Sequence, residues 1–219
     1  MNRSARLLTL PLLATAACQS PRSGGLLSAD YPGTLQPPTA LAVEAVWQQH
    51  VVASWRGPDG EPNERGFDAA LQRRGGSLVV VGLSPMGSVG FSVTQGPDGV
   101  EVVNHIPDQM VIPPRFILLD VQRAFFPWAA ETMSQGATGE IITSRVDERI
   151  AERYERGRLV ERTFTRTSGE PAGTVHVSYE WGDEAWALPE RAVLDNHWFD
   201  YKLTITTSSE TLIPAEAAR

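Results

Sequence analysis

The sequence predicts a mainly β domain, built from antiparallel hairpins around one inserted helix. Three observations predict it. Turn signals recur at short intervals, several segments between them alternate apolar with polar residues, and one proline-bracketed stretch in the middle carries a helical period.

In the first half, Gly57-Pro58-Asp59-Gly60, Gly75-Gly76, Ser84-Pro85-Met86-Gly87 and Gly96-Pro97-Asp98-Gly99 punctuate the chain. They bound expected strands at residues 50–55, 66–73, 77–83, 88–94 and 100–104. The fourth is the clearest, because Val89, Phe91 and Val93 alternate with Ser88, Gly90, Ser92 and Thr94, the two-residue period of a strand with one buried face. The Gly-Pro-Asp-Gly turn occurs twice, but its flanks differ, so no repeat array is inferred.

The helix is expected over residues 115–126. Pro113-Pro114 opens it, Pro127 follows it, and Ile117, Leu118, Val121, Ala124 and Phe125 fall on one side. Phe116, Leu119 and Phe126 lie off that stripe, so the helix needs apolar neighbours on two sides. The last third returns to strands at residues 149–155, 159–166, 174–181, 190–194 and 199–207. Val175, Val177 and Tyr179 alternate with polar residues, as do Tyr201, Leu203 and Ile205. Residues 147–156 are charge-dense and read alternatively as a solvated helix. Together these elements imply a long curved sheet around an inserted helical element.

Composition frames the domain. The chain has 219 residues, 42% hydrophobic and 21% charged, with 19 basic against 26 acidic residues and a formal charge of −7. No basic footprint for nucleic acid is present. At the N-terminus, Arg3 and Arg6 precede the apolar run Leu7 to Leu13, and small residues lead to Cys18, the sole cysteine. This is the pattern of a secretory signal peptide, too short to span a bilayer. Thr15-Ala16-Ala17-Cys18 resembles the lipobox of bacterial lipoproteins, although Thr15 replaces the usual leucine. That resemblance implies diacylglycerol on the Cys18 sulfur, cleavage before it, acylation of the new amino group and, with Gln19 rather than Asp following, passage to the outer membrane. Arg3 and Arg6 are the charged residues of the first 17, so the remainder carries a formal charge of −9. A polybasic membrane patch is absent, which leaves anchoring to the lipid.

The expected organisation is a signal peptide over 1–17, the lipidated Cys18 with a Pro, Gly and Ser-rich tether over 18–40, a folded domain over 41–210 and a tail over 211–219. Twenty flexible residues reach on the order of 25 Å.

Catalytic chemistry is hard to find. His50, His105, His176 and His197 form no zinc spacing, and no thiolate site remains once Cys18 is used. Gly82-Leu83-Ser84-Pro85-Met86 fails as a nucleophile elbow at its last position. Asp195-Asn196-His197 offers a base and an orienter without a nucleophile, and no glycine-rich phosphate loop occurs. The expectation is a protein that is not an enzyme and uses neither metal nor cofactor. What stands out is Met86, an apolar residue at a turn tip.

The stretch LSPMGSVGFSVTQGPDGVEVVN, residues 83–104, resembles the strand, Pro-Leu-Gly turn, strand, Pro-Gly turn, strand unit of the outer-membrane lipoprotein receptor family LolB. IPPRFILLDVQRAFFPW resembles that family's proline-bounded helices, and LPERAVLDNHWFDYKLTITT its closing strands. The match runs thinly over residues 45–207 and is closer still to a LolB-like lipoprotein family of unknown function, often encoded beside fatty-acid-type enzymes for aryl polyene lipids. The resemblance implies an antiparallel, half-open β-barrel with a short helical lid, of the LolA/LolB type. It further implies an apolar concave face that binds acyl chains of a lipoprotein or lipid delivered by a LolA-like periplasmic carrier, on the periplasmic face of the outer membrane; a monomer is expected. In LolB the leucine of the protruding turn inserts cargo into the membrane, and Met86 holds that position here. The candidate cavity residues are Phe91, Val93, Leu118, Val121, Phe125 and Tyr179. A competing reading is a membrane-tethered interaction module without lipid cargo, which would present a sheet edge or exposed Trp47, Trp128 and Trp198 to a protein partner.

Overall fold

The structure, a computed structural model, describes residues 31–106, 112–129 and 133–214. The expected signal peptide, Cys18 and the start of the tether lie outside the described residues. Five strands come first: β1 (Ala45–Arg56), β2 (Pro62–Arg74), β3 (Ser77–Leu83), β4 (Val89–Gly96) and β5 (Gly99–Asn104). Helix α1 (Pro114–Phe125) follows, and then β6 (Gly139–Arg145), β7 (Glu148–Glu155), β8 (Arg158–Arg166), β9 (Thr174–Glu180), β10 (Arg191–Asn196) and β11 (Tyr201–Leu212).

All eleven strands form one antiparallel sheet in the order β5-β4-β3-β2-β1-β11-β10-β9-β8-β7-β6. Each half is a meander, and the first and last strands join them along a seam running from Ala45 opposite Leu212 to Trp55 opposite Tyr201. A closed barrel would also pair β5 with β6. These are instead the two edges, so the barrel is half-open, as the family resemblance implies. Helix α1 lies inside the curve and touches both β4 and β10, one from each half.

The elements follow from local chemistry. Proline opens α1 without a side-chain cap. At its other end the Arg162 guanidinium donates to the Arg123 carbonyl at 2.6 Å, supplying a cation where the helix exposes unpaired acceptors. The strand at β1 begins earlier than expected because buried Gln49 interrupts the apolar alternation, beside a bulge at Gln48/Gln49. The β6 strand was not expected at all. Ile141 and Ile142 are consecutive rather than alternating, and the β6–β7 turn places Asp147, not glycine, in the left-handed region at φ 64°. Residues 147–156 are not a solvated helix; they contain the whole of β7, whose inward side chains include two buried glutamates, Glu148 and Glu152.

The described part of the expected tether, residues 31–40, is packed rather than free. From Tyr31 to Ala40 the chain packs against the helix and ends in a 3-10 turn, Pro38–Ala40. The Tyr31 ring lies 4.5 Å from that of Phe116 and stacks on Phe199 at 5.4 Å. The Gln36 amide donates to Gln122 Oε1 at 2.7 Å, while its carbonyl accepts from Gln95 and Gln122. This segment and the sheet are the two neighbours that the all-round apolar helix requires. At the other end β11 absorbs the start of the expected tail, and the Ile213 amide donates to the Glu44 carbonyl at 2.9 Å.

Candidate functional site

The helix divides the concave face into two unlike parts. On the β7–β10 side the space is filled by buried polar groups. Arg123 donates to Glu148 at 2.8 Å and to the Pro32 carbonyl at 2.7 Å, with its guanidinium over the rings of Tyr31, Trp198 and Phe164. Those ring faces stand in for hydrogen bonds that Nε and Nη1 lack among the described residues. Arg162 donates to Glu152 at 2.7 Å and to the Tyr179 hydroxyl at 3.1 Å. Burial pushes Tyr154 up to about 12, with the Glu152 charge adding to the effect, so the phenol stays protonated.

On the β1–β4 side the inward residues include the small Ala53 and Ala69, and the space between them and the helix is empty. The cavity has a volume of about 270 Å³. Its walls are mostly apolar: Val51, Phe67, Val80 and Phe91 from the first meander, Leu203 and Ile205 from β11, and Ile117 and Val121 from α1. Trp55, Arg65 and, from the β3–β4 turn, Pro85 also line it. Gly82 helps to shape this wall, because a Cβ there would lie 2.1 Å from the Phe91 ring, which crosses β3 at that point.

Asp120 is the acid on the cavity wall. It accepts from the hydroxyls of Tyr31 and Tyr201, the latter at 2.5 Å. Burial pushes its carboxyl up to about 6; the two tyrosine hydrogen bonds oppose that shift without cancelling it. Asn196 donates to Tyr31 Oη at 3.0 Å and completes the cluster.

The β3–β4 turn is closed by its own hydrogen bonds. Gly87 donates to the Ser84 carbonyl at 2.8 Å, Ser84 donates to the Ser88 carbonyl at 2.7 Å, and Gly87 has a φ of 77°, a left-handed conformation suited to glycine. The turn holds Met86 in solvent, 92% exposed, next to Pro85 of the cavity lining.

Of the cavity residues expected from the sequence, Phe91 and Val121 lie on the wall. Val93, Leu118, Phe125 and Tyr179 do not; they are buried elsewhere in the core. The reason is the helix phase: Ile117, Asp120 and Val121 face the cavity, whereas Leu118 and Phe125, seven residues apart, share another side. Tyr179 belongs to the filled half. Trp47, Trp128 and Trp198 are all buried, so they offer no docking surface. The Trp47 indole donates to Glu210 at 2.6 Å and that of Trp128 to the Gln122 carbonyl at 2.9 Å. Asp195 and His197 stand 3.8 Å apart at the surface. Among the described residues, no group of three His, Cys, Asp or Glu side chains is arranged to hold a metal ion.

Sequence reasoning missed Asp120, although a lone acid in an apolar helix is itself a signal. It also missed the buried arginine–glutamate pairs, whose only trace was the alternation of Glu148 and Glu152 with Ile150 and Tyr154.

Residues 46–209 match the model of a family described as protein of unknown function, DUF3261. The chain belongs to this family. No curated protein matches this DUF3261 chain. Among solved structures it is similar to a LolA superfamily protein from Nitrosomonas europaea, at 12% identity and a TM-score of 0.46, over 82% of this chain and 95% of that one. It is also similar to a putative outer membrane lipoprotein-sorting protein domain from Vibrio parahaemolyticus, at 9% identity and a TM-score of 0.41, over 80% and 88%. A DUF1329 family protein from Desulfovibrio piger gives 8% identity and a TM-score of 0.42, also over 80% and 88%. Function is therefore read from the cavity itself.

Proposed function

We propose that this DUF3261 protein is an outer-membrane lipoprotein that holds an acyl chain in the cavity beneath β1–β4. In this role it relays an acylated lipid or lipoprotein, possible cargo including aryl polyene-type lipids, from a LolA-like carrier to the outer membrane. The observation that carries the reading is the unfilled apolar space of about 270 Å³ between sheet and helix. Burial supplies about 0.8 kcal/mol per methylene relative to water. Hand-over between two apolar sites gains only the difference between them, so the direction of transfer rests on differential affinity.

The lipid on Cys18 is the anchor in this scheme, and among the described residues no helix is long and apolar enough to cross a membrane. Met86 is the contact made at delivery. Its exposed, flexible thioether next to the cavity lining offers an incoming chain an apolar step between the cavity and the bilayer.

The reading is tested by native mass spectrometry of residues 18–219 carrying Cys18→Ala, purified from the periplasm without detergent. A mass increment that extracts as an acyl lipid is the expected result, and a protein that emerges lipid-free and takes up no added chain overturns it. Met86→Glu is expected to leave the unfolding midpoint unchanged while slowing transfer of bound lipid to vesicles by at least tenfold.

A further inference from the structure

We propose that the cavity accepts a single acyl chain, enclosing about eleven carbons of it, and therefore serves single-chain amphiphiles rather than the three-chain anchor of a mature lipoprotein. This inference rests on the acyl-binding reading above and narrows its ligand.

Volume sets the limit. An apolar cavity of about 150 Å³ accommodates benzene, with its six carbons, so by proportion 270 Å³ holds about eleven. Three long chains carry several times that number. Shape agrees with volume. Gln49, Val51, Ala53 and Trp55 line the cavity in succession along one face of β1, a run of about 20 Å at strand spacing. The space is drawn out along a strand, as a lone chain would need. One end of that run is polar, since buried Gln49 places a carboxamide there with Thr207 Oγ1 at 3.5 Å.

The cavity also has little means of widening. Its inner wall is α1, and α1 is tied to the opposite half by Arg123 on Glu148 and by Arg162 on the Arg123 carbonyl. Moving the helix away from β1–β4 would press it into a region already occupied, and moving it outward would part Arg123 from Glu148 in a place without water. Segment 31–40 ties the helix as well, through Gln36 on Gln122 and Tyr31 on Asp120. A bundle of chains would have to displace all of these together. A single chain displaces none.

The experiment is a chain-length series. Straight-chain fatty acids from six to sixteen carbons, each below its micelle concentration, are titrated calorimetrically into delipidated residues 18–219 with Cys18→Ala, alongside a synthetic tripalmitoylated peptide. The affinity is expected to rise about fourfold per methylene up to about eleven carbons and then to level off, at one chain per protein. The tripalmitoylated peptide is expected to bind no more tightly than palmitate. Ala53→Leu, which shortens the cavity, is expected to move the break to shorter chains by two or three carbons; Ala69→Val serves the same purpose if that variant does not fold. An affinity that climbs to sixteen carbons without a break, or a tripalmitoylated peptide bound more than tenfold better than palmitate, overturns the single-chain inference while leaving acyl binding intact. Failure of every chain to bind removes both.

Discussion

The β1–β4 and β7–β10 halves share one antiparallel sheet and one helix, yet their concave faces are built from opposite materials. In the first half Ala53, Ala69, Val51 and Val80 leave space beneath α1, whereas in the second Arg162, Glu148, Glu152 and Tyr179 fill it. The difference teaches that the hollow is a matter of side-chain size and charge rather than topology. One half holds the helix in place with buried ion pairs, and this allows the other to stay empty without the helix collapsing into it.

The sharpest way to break this comparison is to remove a tie. Arg162→Met strips Glu152 of its partner and the helix end of its donor, and is expected to lower stability by about 3–5 kcal/mol, the usual cost of leaving one member of a buried pair alone. Urea unfolding measures it. A loss below about 1 kcal/mol would mean that the filled half does not hold the helix.

Next in size is the pH response of Asp120, on the boundary between the halves. Its carboxyl titrates at about 6 in the fold, above its ordinary range, so the folded state keeps a proton that the unfolded chain has already released. Stability from this group is therefore fully present below about pH 4, falls as pH rises through about 6, and is flat above; the total is about 3 kcal/mol. Asp120→Asn is expected to remove that slope from a series of unfolding curves between pH 4 and 7. A variant with an unchanged slope would refute the assignment.

The smallest effect is also the most direct comparison, because the same substitution is made on each side. Ala192→Leu in β10, fully buried in the second half, is expected to cost about 1–3 kcal/mol through overpacking. Ala53→Leu, facing the cavity, is expected to change stability by less than about 1 kcal/mol, since added methyl groups enter open space. Equal penalties in thermal melts would show that the two faces are packed alike.

The same contrast explains what could be read in the sequence. Alternation at Val89, Phe91 and Val93 located β4, and prolines located α1, because these signals are carried by neighbouring residues. The long curved sheet was legible for the same reason, turn by turn, whereas its half-open edge was implied only by the family resemblance. Whether the concave face is filled depends on residues brought together from distant strands, such as Arg123 with Glu148, and no local pattern records that meeting. Val93 and Tyr179 alternate as inward residues should, but inward does not distinguish wall from core. Segment 31–40 was misread because its prolines and glycine mark it as irregular, which is correct, while its docking rests on single anchors, Tyr31 and Gln36.

The seam between β1 and β11 has a consequence for biogenesis. Val51 meets Ile205 in the middle of the sheet, so the central ladder joins residues from near the two ends of the domain. During synthesis that ladder has no second strand until β11, the last strand of the sheet, has been made, and contacts of such long sequence separation form slowly. A domain wired in this way gains its central ladder, and with it the join between its two halves, only after its final strand arrives.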